Sequence, residues 1–206
     1  MEIPDSPERL KRVRAAVATC LFSTIWSALA GAVGLVTGLI TRSLVLVAFG
    51  LASLVDASTS AMLVWRFGLE LRSHAHSKSA DRAEQATLRV VGVVLLLVSA
   101  YVGAQAVHAL LAPTAPKRGL LGLFLLGASI VVLSVVGPLK LHLARQLDSL
   151  ALRGDGVLSS AGAGLAVVAV VGLALERSFG WRWTDPVAAL LIAAALLPEG
   201  WRALRA

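Results

Sequence analysis

Apolar runs without alternation dominate this sequence, and they fix the fold class before any other feature. Val90–Ala100 and Ala163–Leu175 are near-continuous stretches of aliphatic and small residues. Crossing the hydrocarbon of a bilayer takes about 20 mainly apolar residues per helix. Lipid offers no partner for unpaired backbone groups, so only helices or closed barrels span it. Barrel strands would alternate apolar and polar residues over about ten positions, and these runs do not. Helices follow. Hydrophobic residues make up 57% of the 206 and charged residues 15%, against roughly 45–50% and about 25% in soluble domains. The surplus apolar surface has to face lipid. The expected fold is therefore an all-α membrane protein.

Six apolar blocks fall at about 15–40, 43–66, 86–112, 119–143, 151–176 and 184–204. Polar or helix-breaking stretches separate them, among them Thr41-Arg42-Ser43, Glu70–Gln85 and Pro113–Gly119. Residues 1–14 read as a polar tail and residues 15–206 as one six-helix transmembrane domain, with no cytosolic C-terminal domain expected. The first apolar block is too long for a signal-peptide core and has no cleavage site after it, so it is expected to be retained. Lys and Arg favour cytoplasmic loops. Placing the N-terminus inside assigns 14 of the 19 basic residues, Lys140 among them, to the cytoplasmic side and 5 to the outside. Both termini are thus expected in the cytoplasm. The many Arg, Ala and Gly residues point to a bacterial cytoplasmic membrane.

The net charge of +7 is spread over helix ends. It reads as topology-setting charge, and no nucleic-acid partner is expected. The lone Cys20 cannot build a disulfide framework or a thiolate metal site and reads as a packing residue. Asp185-Pro186 reads as the N-cap and first position of the last helix, with Trp181 and Trp183 at the membrane interface. Gly34 and Gly38 form a small-xxx-small pair that permits close helix contact, and Gly31, Gly162 and Gly164 read the same way.

Asp56 is the most informative residue. It lies mid-block, where a carboxylate costs at least about 2.5–3.5 kcal/mol and typically marks a functional site facing the bundle interior. The structural alternative is an Asp bonded to Ser53, Thr59 or Ser60 of its own helix; the functional reading outweighs it. Asp155, between Gly154 and Gly156, reads equally as a functional carboxylate or as an N-cap, with Ser159 one turn on. His74 and His76 in the second loop, near Asp81 and Glu84, could contribute to a transition-metal site, although such pairs are more often solvated.

Four segments together resemble the cation diffusion facilitator (cation efflux) family. Ser43–Asp56 is similar to the family's second helix and Asp81-Arg-Ala-Glu84 to the opening of its third. Ala151–Leu158 is similar to the start of the fifth and Trp183–Ile192 to that of the sixth. The run Ala48–Phe67 looks closest to the compact branch typified by transmembrane protein 163, which has no large cytosolic domain. The resemblance implies a six-helix bundle, a homodimer, and secondary transport of a divalent metal such as zinc in exchange for protons. It also implies a metal site around Asp56 and Asp155, with Ser60, Ser159, His74 and His76 as weaker candidates. That site is degenerate: Ala52, Leu158 and Gly162 stand where the family's further ligands fall, whereas zinc favours four.

The sequence reading is therefore a cation/proton antiporter with Asp56 as the central binding and protonation residue. No permanently bound cofactor is expected, only lipid, a divalent cation and protons as partners. A non-transporting relative acting as a membrane partner or scaffold is the alternative. No enzyme is expected, since no nucleophile or second acid faces Asp56 at catalytic spacing. No recognisable ATP-binding motif is present either.

Overall fold

A computed structural model describes residues 7–73, 78–111, 120–181 and 183–205. Six helices account for almost all of them: α1 (Pro7–Thr41), α2 (Leu44–Ser73), α3 (Lys78–Leu111), α4 (Leu121–Leu147), α5 (Leu150–Phe179) and α6 (Thr184–Arg205). All six expected blocks are helices, most of them longer than their apolar cores. At 35 residues, α1 extends about 50 Å at about 1.5 Å per residue, well beyond the hydrocarbon thickness of about 30 Å. It begins at Pro7, so part of the expected polar tail is its first turns. Likewise α2 runs to Ser73 and α3 starts at Lys78, so most of the polar stretch between them is helical. Among the described residues, five helices are long and apolar enough to cross a membrane. The sixth, α6, is the shortest at 22 residues and carries Asp185 in its first turn and Arg202 and Arg205 in its last.

Burial runs opposite to that of a soluble bundle. Large apolar side chains cover the outside, for example Phe22, Leu29 and Leu39 on α1 and Phe124, Val131 and Val135 on α4. Inside, small apolar residues alternate with polar ones: Ser23, Ser27, Ser53, Asp56, Ser60, Ser129, Lys140, Asp155 and Ser159 are all buried. Lipid solvates apolar surface well, so helix association there rests on close packing and interhelical hydrogen bonds.

The helices pair as α1 with α2, α4 with α5 and α3 with α6, and contacts of α1 with α4 and of α2 with α5 join the first two pairs into a four-helix core. Glycines set the close approaches. A Cβ on Gly38 would lie 2.7 Å from the Val47 backbone nitrogen, and one on Gly50 would lie 2.6 Å from that of Leu35. The glycines of α1 are therefore spent against α2 within the chain. On α5, Gly162 touches Leu133 of α4, whereas Gly164 faces open space and closes no contact. Between α4 and α5 the contact glycines are Gly137 and Gly156, whose added Cβ atoms would meet the backbone nitrogens of Ser160 at 2.9 Å and Leu141 at 3.0 Å.

Two expected caps are used differently. Helix α5 is capped by Ser149, whose hydroxyl accepts from the Leu152 N–H, so Asp155 is not an N-cap; it sits inside the helix, more than a turn on. Asp185 does not cap its own helix. Its carboxylate accepts from Ser43 Oγ at 2.5 Å and from the Leu44 N–H at 2.8 Å, which caps α2 from across the bundle. Cys20 is a packing residue, fully buried among Val13, Ala16, Leu63, Leu143 and Leu152. Trp181 and Trp183 are exposed and stack at 5.4 Å between ring centroids, as suits rings at a membrane interface.

Candidate functional site

Four helices point polar side chains at one buried centre. Helix α1 supplies Ser23 and Ser27, one turn apart on one face, and α2 supplies Asp56, Thr59 and Ser60. Helix α4 supplies Lys140, and α5 supplies Asp155 and Ser159, again four residues apart. Polar residues at this spacing on otherwise apolar helices form a stripe that lipid cannot solvate, so the stripes turn inward and meet.

Lys140 is the hub. Its ammonium is fully buried and pairs with Asp155 Oδ2 at 2.7 Å. It also donates to Ser23 Oγ at 2.7 Å and to Ser60 Oγ and Ser159 Oγ at 2.8 Å each. Four oxygens thus surround one ammonium, and an ion pair buried this deeply holds only when such extra hydrogen bonds satisfy it. Asp155 further accepts from Thr59 Oγ1 at 2.8 Å and from Ser60 Oγ at 2.9 Å. Asp56, 6% exposed, accepts from Ser27 Oγ at 2.6 Å and from Ser159 Oγ at 2.8 Å. One continuous network therefore runs from Asp155 through Lys140 and Ser159 to Asp56 and Ser27.

The structure brings Asp56, Asp155, Ser60 and Ser159 together. It changes their pairing: the carboxylate of Asp56 is held by hydroxyls of α1 and α5, while Thr59 and Ser60 of its own helix serve Asp155. Lys140 has no place at the membrane surface, where the sequence reading set it; it is interior. His74 and His76 lie outside the described residues. Among the described residues no three His, Cys, Asp or Glu side chains cluster closely enough to hold a metal ion.

A cavity of about 20 Å³ opens beside Asp56, lined also by Ser27, Ala52, Ser53, Leu158 and Gly162. It is large enough for about one water molecule. Ala52, Leu158 and Gly162, the positions at which the resemblance implied further ligands, all border this space. Chemically the site offers a carboxylate and hydroxyl oxygens to a small occupant, next to a fixed ammonium.

The fold and the site define a membrane-spanning helical bundle with a buried ionic centre and a small cavity bordered by one carboxylate. The profile of the cation efflux transmembrane domain matches residues 20–206, and the chain belongs to that family. It is 28% identical over 168 residues to an uncharacterized transporter of Synechocystis sp., an overlap of 81% of this chain and 54% of the relative. It is 27% identical over 173 residues to a cadmium, cobalt and zinc/H(+)-K(+) antiporter of Bacillus velezensis, covering 80% of this chain and 53% of that protein. A protein of the same name from Bacillus subtilis is 27% identical over 175 residues, again covering 80% and 53%. The chain thus spans about half the length of the curated relatives it matches.

Proposed function

We propose that this protein is a secondary transporter that carries a metal cation across a membrane in exchange for protons, by alternating access around Asp56. Asp56 binds the cation and holds the proton in its absence. The observation that carries this reading is a buried carboxylate at mid-bundle, held by hydroxyls from two other helices and bordering a cavity. Membership of the cation efflux family supports it. The divalent ions in the names of the Bacillus relatives are the first substrates to test. The reading places the protein in a bacterial cytoplasmic membrane with both termini inside, as a homodimer.

Everted vesicles loaded with a pH-sensitive dye test it. Adding Zn²⁺, Cd²⁺, Co²⁺ or an alkali cation to acid-loaded vesicles should collapse the pH gradient in the wild type and not in Asp56→Asn. A wild type that moves no proton with any of these cations removes the reading.

A second reading, a family member that serves as a membrane partner without transport, is favoured by two observations. Lys140 already satisfies one carboxylate, and Ala52, Leu158 and Gly162 offer no side-chain ligand to the cavity. It predicts that Asp56→Asn alters folding or assembly while the wild type shows no ion flux.

A further inference from the structure

The buried centre carries a charge count that bears on which ions it takes. With each group in its ordinary ionised form, Asp56 and Asp155 bring two negative charges and Lys140 one positive, leaving a single net negative charge. The ammonium reaches Asp56 through one hydroxyl: Lys140 donates to Ser159 Oγ at 2.8 Å, and Ser159 donates to Asp56 Oδ1 at 2.8 Å. The ammonium does not line the cavity, but it stands within two hydrogen-bond lengths of the carboxylate that does, so its charge offsets part of the field that Asp56 offers a cation. The polar groups lining that cavity, from Ser27, Ser53 and Asp56, are all oxygen. Zinc is bound most strongly where imidazole and thiolate ligands are available, whereas oxygen sets suit hard cations. The volume of about 20 Å³ has room for one water-sized occupant, not for a divalent ion that keeps several waters.

We propose that the Asp56 site takes a singly charged hard cation of the alkali-metal class, and that Lys140 excludes divalent metals by standing as a tethered cation on the second carboxylate. This rests on Asp56 being the ion-binding residue and narrows the class of ion.

Calorimetry on purified protein in nanodiscs tests it with Na⁺, K⁺, Li⁺, Zn²⁺ and Mn²⁺, ionic strength being held with choline chloride. The wild type should bind an alkali cation saturably, at least about tenfold more weakly in Asp56→Asn, and should bind Zn²⁺ and Mn²⁺ poorly. Lys140→Met, at one more negative charge, should gain at least about tenfold in divalent affinity; Lys140→Arg should gain nothing. Lys140→Gln removes the same charge while its amide can still donate to the serine hydroxyls, so divalent gain there carries the test if Lys140→Met does not fold. Lys140→Met/Asp155→Asn restores the original charge and should keep the alkali preference. Asp56-dependent Zn²⁺ binding by the wild type overturns this inference and leaves the transport reading standing. So does a folded Lys140→Met or Lys140→Gln that gains no divalent affinity. A wild type that binds none of the five cations removes this inference, and the transport reading falls with it only if Cd²⁺ and Co²⁺ do not bind either.

Discussion

At the scale of single residues, the site turns on Lys140, which composition and hydropathy disguise. Three residues from the expected end of its apolar block, it looks like one of many basic side chains reaching for the interface. The structure instead closes it off completely against Asp155. The signal was in the spacing: Lys140 lies eight residues before Asp148 and Asp155 seven after it. A tight antiparallel turn at Asp148 therefore brings the two level. The inward burial of Asp56, by contrast, was legible at once, because a mid-span carboxylate is costly to expose to lipid. The hydroxyls that hold it were not, since Ser27 and Ser159 come from helices whose order in space the chain does not spell out. The pair makes a definite prediction. Lys140→Ala leaves a buried, uncompensated carboxylate and should cost about 3–5 kcal/mol. Adding Asp155→Asn to a Lys140 replacement should recover most of that loss. Thermal unfolding in detergent reads the cycle; simple addition of the two single losses would show that the side chains act independently.

At the scale of elements, close helix approach is what lets short side chains meet. Ser159 and Asp155 reach Lys140 because Gly137 and Gly156 allow α4 and α5 to touch, backbone against side chain. Gly137→Ala and Gly156→Ala should each cost about 1–3 kcal/mol through overpacking. Gly164→Ala, on the same helix with nothing within 4 Å, should be neutral or stabilising by up to about 1 kcal/mol from helix propensity. Melting temperatures of the three variants separate packing from propensity, and equal losses at all three would refute the assignment. The other inter-element device is Asp185, which ties the start of α6 to the start of α2. Asp185→Ala should cost about 0.5–2 kcal/mol, the range for loss of an N-cap, with hydrogen exchange rising first at Ser43–Leu46. The sequence marked Asp185 as a cap and assigned it to the wrong helix, because cap motifs report a chemical preference and not the partner it finds. Helix existence was legible throughout, since apolar runs record the solvent directly. Helix ends were less so: charged turns at the N-terminus of α1 and the C-terminus of α2 stay helical because they pack on each other, as Arg9 and Glu70 do at 2.5 Å.

At the scale of the whole molecule, the burial of Lys140 also enters the topology argument. Without it, the basic residues divide 13 to 5 in favour of the side to which the six-span reading assigns both termini, so the bias survives. The weak element is α6, which carries four charged residues, Asp185, Glu199, Arg202 and Arg205. It packs on α3 along Gly92 and Gly200, where added Cβ atoms would meet the partner helix at 2.9–3.0 Å. A partner helix that shields one face lowers the number of apolar side chains a span needs from its own sequence, and the Asp185 carboxylate is satisfied by donors from Ser43 and Leu44. Both effects argue that α6 crosses with the others and returns the C-terminus to the side of the N-terminus. Single cysteines in a Cys20→Ser background test this in intact cells with a membrane-impermeant maleimide. Leu120→Cys and Ser178→Cys, at exposed ends of α4 and α5, should label from outside. Glu8→Cys and Arg205→Cys should label only after lysis. Labelling of Arg205→Cys from outside, with Glu8→Cys still protected, would mean that α6 does not cross. The chain would then have five spans, and Asp185 would cap α2 from a helix lying on the membrane surface.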